Sequence, residues 1–296
     1  MDLIEKVLVC LPERGRSAFV AFLSSHDRSK VTELRFRADA PASITYLGKN
    51  VCGFAGKEII FGEAEMRDIV AKLCEESVHT YGQTMTDGYI TLSDGARIGI
   101  CGRVRADKNN IIGLRDVTSL CIRVPHVIYG VSDEIMPLIH SCGRAQSALI
   151  YSSPGVGKTT LIRDIAKNLS CGARRLRVAV VDSRGEIYIK EMFSHSLCDF
   201  LDGYPKGIGM EIATRTLSPQ VIICDEIGGS EDAEIILQNQ NSGVPLIATA
   251  HASSFEELLQ RPNIRKLYDA KVFKYYIGIS RSNESERFIF DITRRE

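Results

Sequence analysis

The chain has 296 residues, 44% of them hydrophobic, with 37 Lys and Arg balanced by 37 Asp and Glu. That length fits about two domains, and the even charge supplies no bulk positive field for holding nucleic acid. No apolar run approaches the roughly eighteen residues needed to cross a bilayer, and nine cysteines without a Cys-x-x-Cys pair argue for reduced thiols, with neither disulfides nor zinc.

Residues 1–30 predict helix, with Leu3, Ile4, Val7, Leu8 and Leu11 on one face and Phe19, Val20, Phe22 and Leu23 on the next segment. Acids lie among these apolar residues and no basic lead precedes them, so the segment reads as a helix and not a signal peptide, and the chain is expected to stay in the cytosol. Residues 32–37 alternate as a strand, and residues 43–60 hold short apolar runs broken by Gly48, Gly53 and Gly56. Residues 64–79 fit a helix. Residues 88–102 form two strand-like runs around Asp94 and Gly95, a strong hairpin signal. Between Pro125 and Ser132 the pattern changes to alternating strands and helices. We therefore expect an α+β N-terminal domain over 1–128 and an α/β domain over 129–296. The latter should have core strands at 147–151, 176–182, 220–225 and 244–250 and helices at 158–169, 207–217 and 230–242, hence a mainly parallel sheet.

The chemistry concentrates in residues 147–160, Ser-Ala-Leu-Ile-Tyr-Ser-Ser-Pro-Gly-Val-Gly-Lys-Thr-Thr: an apolar strand, a glycine-containing loop, then a helix. In such a loop the backbone amides and the positive end of the helix dipole face an anion, and a nucleoside triphosphate is the natural guest. Ser153, Pro154, Gly155, Val156, Gly157, Lys158, Thr159 and Thr160 are the expected nucleotide-binding residues. Lys158 would reach the β/γ phosphates and the Thr159 hydroxyl would ligate Mg²⁺. Ser152 stands where the usual pattern has glycine.

Residues 219–228 form a buried strand ending in Asp225 and Glu226, a Walker B pattern at the carboxyl end of the sheet. Asp225 would hold Mg²⁺ through water, and Glu226 would orient or deprotonate an attacking water. Asp182 and Glu186, after the strand before it, compete for that role, with helix capping and salt pairing as the alternative. Thr249 and His251 end a third strand, where a polar group can sense the γ-phosphate or be a satisfied core histidine. Arg215 is placed either to pair with an acid or to touch nucleotide.

Taken together these motifs resemble the stage III sporulation protein AA family, sporulation relatives of the secretion and pilus ATPases. The resemblance also covers residues 33–37, 87–91, 95–99, 118–123, 205–210, 215–219 and 248–252. It implies a RecA-like P-loop ATPase domain after the smaller N-terminal domain, and ATP and Mg²⁺ as ligands. It further implies a homo-hexameric ring in the mother cell, docked peripherally on membrane proteins of the stage III sporulation complex and energising the channel between mother cell and forespore. The acidic box of the secretion ATPases carries over to Glu186, Walker B to Asp225 and Glu226, and the histidine box to His251. Arg35, Arg37, Arg97, Arg103 and Arg123 are candidates to reach phosphate from the N-terminal domain or a neighbouring protomer, or else are strand-face arginines. Ser152-Ser-Pro, and Gly228-Gly-Ser without a following basic residue, depart from the family pattern. Two other functions compete with the secretion-type motor: a nucleic-acid-dependent ring ATPase, for which the balanced charge offers no basic track, and an ATP-gated scaffold with little turnover.

Overall fold

The computed structural model describes residues 3–54, 56–74, 85, 88–92, 96–107, 110–124, 127–240, 242–281 and 287–295. The chain divides into two compact units, residues 1–126 and 127–296.

In the first unit the expected N-terminal helix is two, α1 (Leu3–Cys10) and α2 (Glu13–Ser25), because Pro12 cannot continue α1 but suits the entry to α2. The strands are β1 (Val31–Arg37), β2 (Ala40–Tyr46), β3 (Lys49–Val51) and the small pair β4 (Gly53–Phe54) and β5 (Lys57–Glu58), followed by α3 (Glu63–Leu73). Positions 75–79 of the predicted helix lie outside the described residues. β6 (Tyr89–Thr91), β7 (Arg97–Asp107) and β8 (Asn110–Arg123) complete an antiparallel sheet in the order β3-β2-β1-β8-β7-β6. β6 and β7 pair as the hairpin signal predicts, Ile90 opposite Ile98, while Asp94 and Gly95 lie outside the described residues. Strand alternation sends Leu34, Phe36, Ile98, Ile100, Leu120 and Ile122 to one face, where they meet Val7, Phe19 and Ile69 of the three helices. Arg35, Arg97 and Arg123 occupy the other face.

The second unit contains α4 (Met136–Ile139), the small pair β9 (His140–Ser141) and β10 (Arg144–Ala145), β11 (Ala148–Ser152), α5 (Lys158–Ser170), β12 (Val178–Asp182), α6 (Lys190–Phe193), β13 (Cys198–Asp202) and α7 (Lys206–Ile212). It continues with β14 (Val221–Cys224), α8 (Ser230–Gln240), β15 (Leu246–His251), α9 (Phe255–Gln260), α10 (Pro262–Asp269), β16 (Tyr275–Arg281) and β17 (Phe288–Arg294). The sheet order is β13-β12-β14-β15-β11-β16-β17, parallel except for the last pair. β11, β12 and β14 are buried at every residue, as near-continuous Val, Ile, Leu and Ala runs covered on both faces must be. Ile150, Val180, Ile223 and Ile277 pack under α5, and Leu149, Val181, Ala248 and Tyr276 pack under α7 to α10. Each fully buried Ile, Leu or Val contributes about 1.5–3 kcal/mol. The last turn predicted for the helix at 207–217 is a π-helical stretch, Ala213–Leu217, ending at Ser218 with a left-handed φ of 45°. Among the described residues no helix is long and apolar enough to cross a membrane.

Candidate functional site: the loop at the carboxyl end of the sheet

All five parallel strands from β13 to β11 end at one edge of the sheet, and the phosphate-loop candidate lies there between β11 and α5. The loop turns where only glycine turns freely: Gly155 has φ 79° and Gly157, the residue before α5, has φ 125°. α5 then offers its first amides and dipole to the space above. Ser152 belongs to β11, opposite His251 of β15, and is not among the residues with positive φ. Serine in place of glycine therefore imposes no backbone strain on the loop.

Lys158 is 8% exposed, and the three N–H groups of its ammonium are shared among Ser152 O at 3.0 Å, Ser152 Oγ at 3.2 Å, Ser153 O at 3.3 Å and His251 Nδ1 at 2.9 Å. Burial pulls its pKa below the usual lysine range, against the opposing pull of Glu226 and Asp225. An ammonium has no lone pair, so Nδ1 of His251 accepts and the ring proton sits on Nε2, which lies 3.0 Å from Glu226 Oε1. The other carboxylate oxygen of Glu226 pairs with Arg184 Nη1 at 2.5 Å. A continuous chain thus runs from Lys158 through His251 and Glu226 to Arg184.

Glu226 has φ 40°, a left-handed conformation that costs a non-glycine residue about 1–2 kcal/mol. Its neighbours hold it there. Its amide donates to Thr249 Oγ1 at 2.8 Å, the next amide, Ile227, donates to Thr249 O at 2.7 Å, and Lys206 Nζ donates to the Glu226 carbonyl. The buried Thr249 hydroxyl also donates to Asp225 Oδ1 at 2.9 Å, so one side chain positions both acids at the end of β14. Burial pushes the Asp225 carboxyl above its usual range; the Thr249 bond opposes the shift and the charges of Asp182 and Glu226 add to it. A carboxylate so desolvated suits a cation, and Thr159 on the first turn of α5 carries a hydroxyl; both are oxygen donors of the hard type that Mg²⁺ prefers. The loop's amides, Lys158 and these two oxygens fit a Mg²⁺-bound triphosphate.

At Asp182 and Arg215, each of which the sequence left with two roles, the structure shows the capping and the ion-pair alternative. Asp182 does not face the loop as a candidate base: it is fully buried, and its carboxylate accepts from the amides of Arg184 at 3.2 Å and Ile187 at 2.6 Å, which caps the turn carrying Glu186. Arg215 pairs with Glu211 at 2.6 Å on an exposed surface. The chain descends α7 to the start of β14, so Arg215 arrives at the amino edge of the sheet, opposite the loop. Glu186 itself is exposed, in a turn held from its other side by the buried Arg163, which donates to Glu186 O at 2.5 Å and Ile187 O at 2.9 Å. Arg163, Arg184 and Lys206 reach these groups, although sequence alone assigns none of them a role; Arg163 is a charge within the apolar periodicity of α5, and Lys206 lies in the 205–210 stretch of the resemblance. The basic group expected after Walker B arrives from elsewhere: Arg261 Nη2 lies 2.6 Å from where a Cβ on Gly228 would stand, and Arg261 Nη1 donates to His251 O at 2.8 Å.

In the N-terminal unit Arg35 pairs with Glu33 at 2.8 Å and donates to Cys121 Sγ at 3.3 Å. Arg37 reaches Ser43 at 3.4 Å, Arg97 lies over the Tyr89 ring at 4.6 Å, and Arg103 lies 3.7 Å from Asp116 and 3.8 Å from Glu63. Arg123 stands opposite Glu33 in the sheet register.

A parallel α/β sheet with the loop strand inside it and acids on a nonadjacent strand end is the RecA-like fold of the secretion and pilus ATPases. The X-ray structure of the Legionella pneumophila ATPase DotB matches with a TM-score of 0.63 at 15% identity, over 95% of this chain and 81% of that one. The pilus retraction motor PilT with bound ADP matches with a TM-score of 0.65 at 13% identity, over 94% and 83%. Within that class the chain belongs to the family described as Sporulation stage III, protein AA, which matches residues 13–293. Stage III sporulation protein AA of Bacillus subtilis (strain 168) is 30% identical over 288 residues, 94% of this chain and 92% of that protein.

Proposed function

We propose that this chain is an ATPase of the secretion-motor type that works in sporulation, in a ring of like subunits docked on membrane proteins of the stage III complex on the mother-cell side. The observation that carries the proposal is the chain from Lys158 through His251 to Glu226 at the mouth of the loop. It links the group that would sense phosphate to the group that would activate water.

In this reading the loop amides, Lys158 and Thr160 bind the triphosphate, with Thr159 and Asp225 holding Mg²⁺. The metal would neutralise charge on the phosphate oxygens. Lys158 exchanges neutral carbonyl acceptors for charged phosphate oxygens, and charge-assisted bonds are roughly twice as strong as neutral ones. That move releases Nδ1 of His251, so His251 reports phosphate occupancy to Glu226. Glu226, aimed by Arg184 and His251, takes the proton of the attacking water, and Glu186 lies on the turn that Asp182 and Arg163 fix beside it. Single-turnover assays of Glu226→Gln and Glu186→Gln at saturating ATP test this assignment: the variant that keeps the wild-type rate is not the base. Sizing the protein with a non-hydrolysable ATP analogue tests the ring, which a monomer in every nucleotide state would exclude. Stimulation of turnover by single-stranded nucleic acid would move the reading to a nucleic-acid motor, and tight ATP binding without turnover to a gated scaffold.

A further inference from the structure

The acids of the loop site all lie to one side of it. Asp225, Glu226 and His251 end β14 and β15, on one flank of β11, whereas the other flank is β16 with β17 beyond it. A nucleoside triphosphate whose terminal phosphate faces those acids must send its nucleoside toward the β16–β17 edge.

Two side chains from that edge reach the loop. Arg281, the last residue of β16, donates Nε to Val156 O at 2.7 Å. Phe288, the first residue of β17 and the register partner of Arg281, lies against Gly157: a Cβ placed there would be 2.8 Å from Phe288 Cζ and 3.0 Å from Cε1. The Arg281 guanidinium carbon is 5.5 Å from the Phe288 ring centroid, which fixes the ring by a cation–π contact. One part of the ring packs against the core of the second unit, with the Phe290 ring centroid 6.2 Å away, and the rest stays partly exposed beside the loop.

We propose that Phe288, held in place by Arg281, is the stacking platform for the base of the nucleotide. The proposal rests on the reading of the loop as a nucleotide site and adds the part that binds the nucleoside. A flat, partly exposed aromatic ring beside a phosphate-binding loop offers a purine apolar contact and π-stacking, which tolerate any base because every base has a π face. Gly157 serves both parts: its φ of 125° shapes the loop, and its missing side chain lets the ring approach. Stacking does not read the base edge, so adenine and guanine nucleotides gain alike from this ring.

The 296 residues contain no tryptophan, which gives a direct test. Phe288→Trp installs a single reporter, whose emission should change on adding ATP and stay unchanged on adding inorganic tripolyphosphate, a ligand with the phosphates but no base. By calorimetric titration Phe288→Ala should weaken ATP and GTP binding by about fivefold or more, leave tripolyphosphate affinity as in wild type, and be rescued by Phe288→Tyr. Equal losses for ATP and tripolyphosphate would show that the ring only props the loop, and an unchanged ATP affinity would show that it touches no base; either overturns the proposal. Wild-type protein that binds neither ligand would instead refute the nucleotide site itself.

Discussion

Replacing Thr249 with valine should show how much of the site depends on one hydroxyl. The side chain is fully buried, donates to Asp225 Oδ1 at 2.9 Å and accepts from the Glu226 amide at 2.8 Å. Valine keeps the shape and the β-branching that suits β15, so the change isolates the hydroxyl. A lost bond to a charged acceptor costs about 1.5–3 kcal/mol and a buried amide left unpaired about 1–3 kcal/mol. Partial relaxation of the turn offsets some of this, so we expect a loss of about 3 kcal/mol. Urea unfolding followed by circular dichroism should then show a lower midpoint with an unchanged slope. Because Glu226 holds its left-handed φ partly through this bond, ATP turnover should fall as well. Thr249→Ser, which keeps the hydroxyl and loses a methyl, should cost about 1 kcal/mol in stability and retain most of the turnover. A Thr249→Val protein within about 1 kcal/mol of wild type, with full turnover, would refute the idea that this hydroxyl sets the two acids.

Arg163→Met should leave the carbonyls of Glu186 and Ile187 without their donors, cost about 2–3 kcal/mol and speed amide hydrogen exchange over 184–187; unchanged exchange there would show that Asp182 alone fixes the turn. Gly157→Ala combines a φ of 125° with a Cβ that meets Phe288 at 2.8 Å, so it should destabilise the protein by about 2 kcal/mol in thermal melts and weaken nucleotide retention. Glu65 pairs with Arg14 and accepts from the Gly62 amide at 3.0 Å, and the Arg14 bond holds its carboxyl below the usual value of 4.5. A carboxyl lowered on folding stabilises above its unfolded value and loses that contribution as pH falls through the folded one. Glu65→Gln should therefore cost about 0.5–1 kcal/mol at pH 7, and the gap between the two proteins should close as the pH is taken well below 4.5. A gap that persists in acid would assign the effect to packing.

The parts of this protein legible in its sequence are those whose signal is local. Strand, loop and helix at 147–170 are contiguous, and the buried strands announce themselves as unbroken Val and Ile runs. Asp182 and Asp225 look alike as strand-end acids, because nothing nearby in sequence says that the amides two and five residues on will cap the first while Thr249, from another strand, turns the second to the site. Arg215 was ambiguous for a similar reason: helix α7 continues into a π-helical stretch, and only the path of the chain shows which sheet edge it reaches. Ser152 read as a defect in the loop motif, whereas its place in the register of β11 makes it a partner of Lys158. Arg184, Lys206 and Arg261 meet Glu226, His251 and Gly228 through contacts between separate elements. The contact of Phe288 with Gly157 spans most of the second unit, and no local pattern encodes it.

The central claim is that Lys158 and the acids around it hydrolyse ATP, and phosphate release from ATP and Mg²⁺ by the wild-type chain and Lys158→Ala tests it most directly. Wild-type protein should release phosphate steadily, stop when Mg²⁺ is chelated, and exceed the variant by at least about a hundredfold, the loss of one charge-assisted contact to the transferring phosphate. Equal release from wild type and Lys158→Ala would contradict the account.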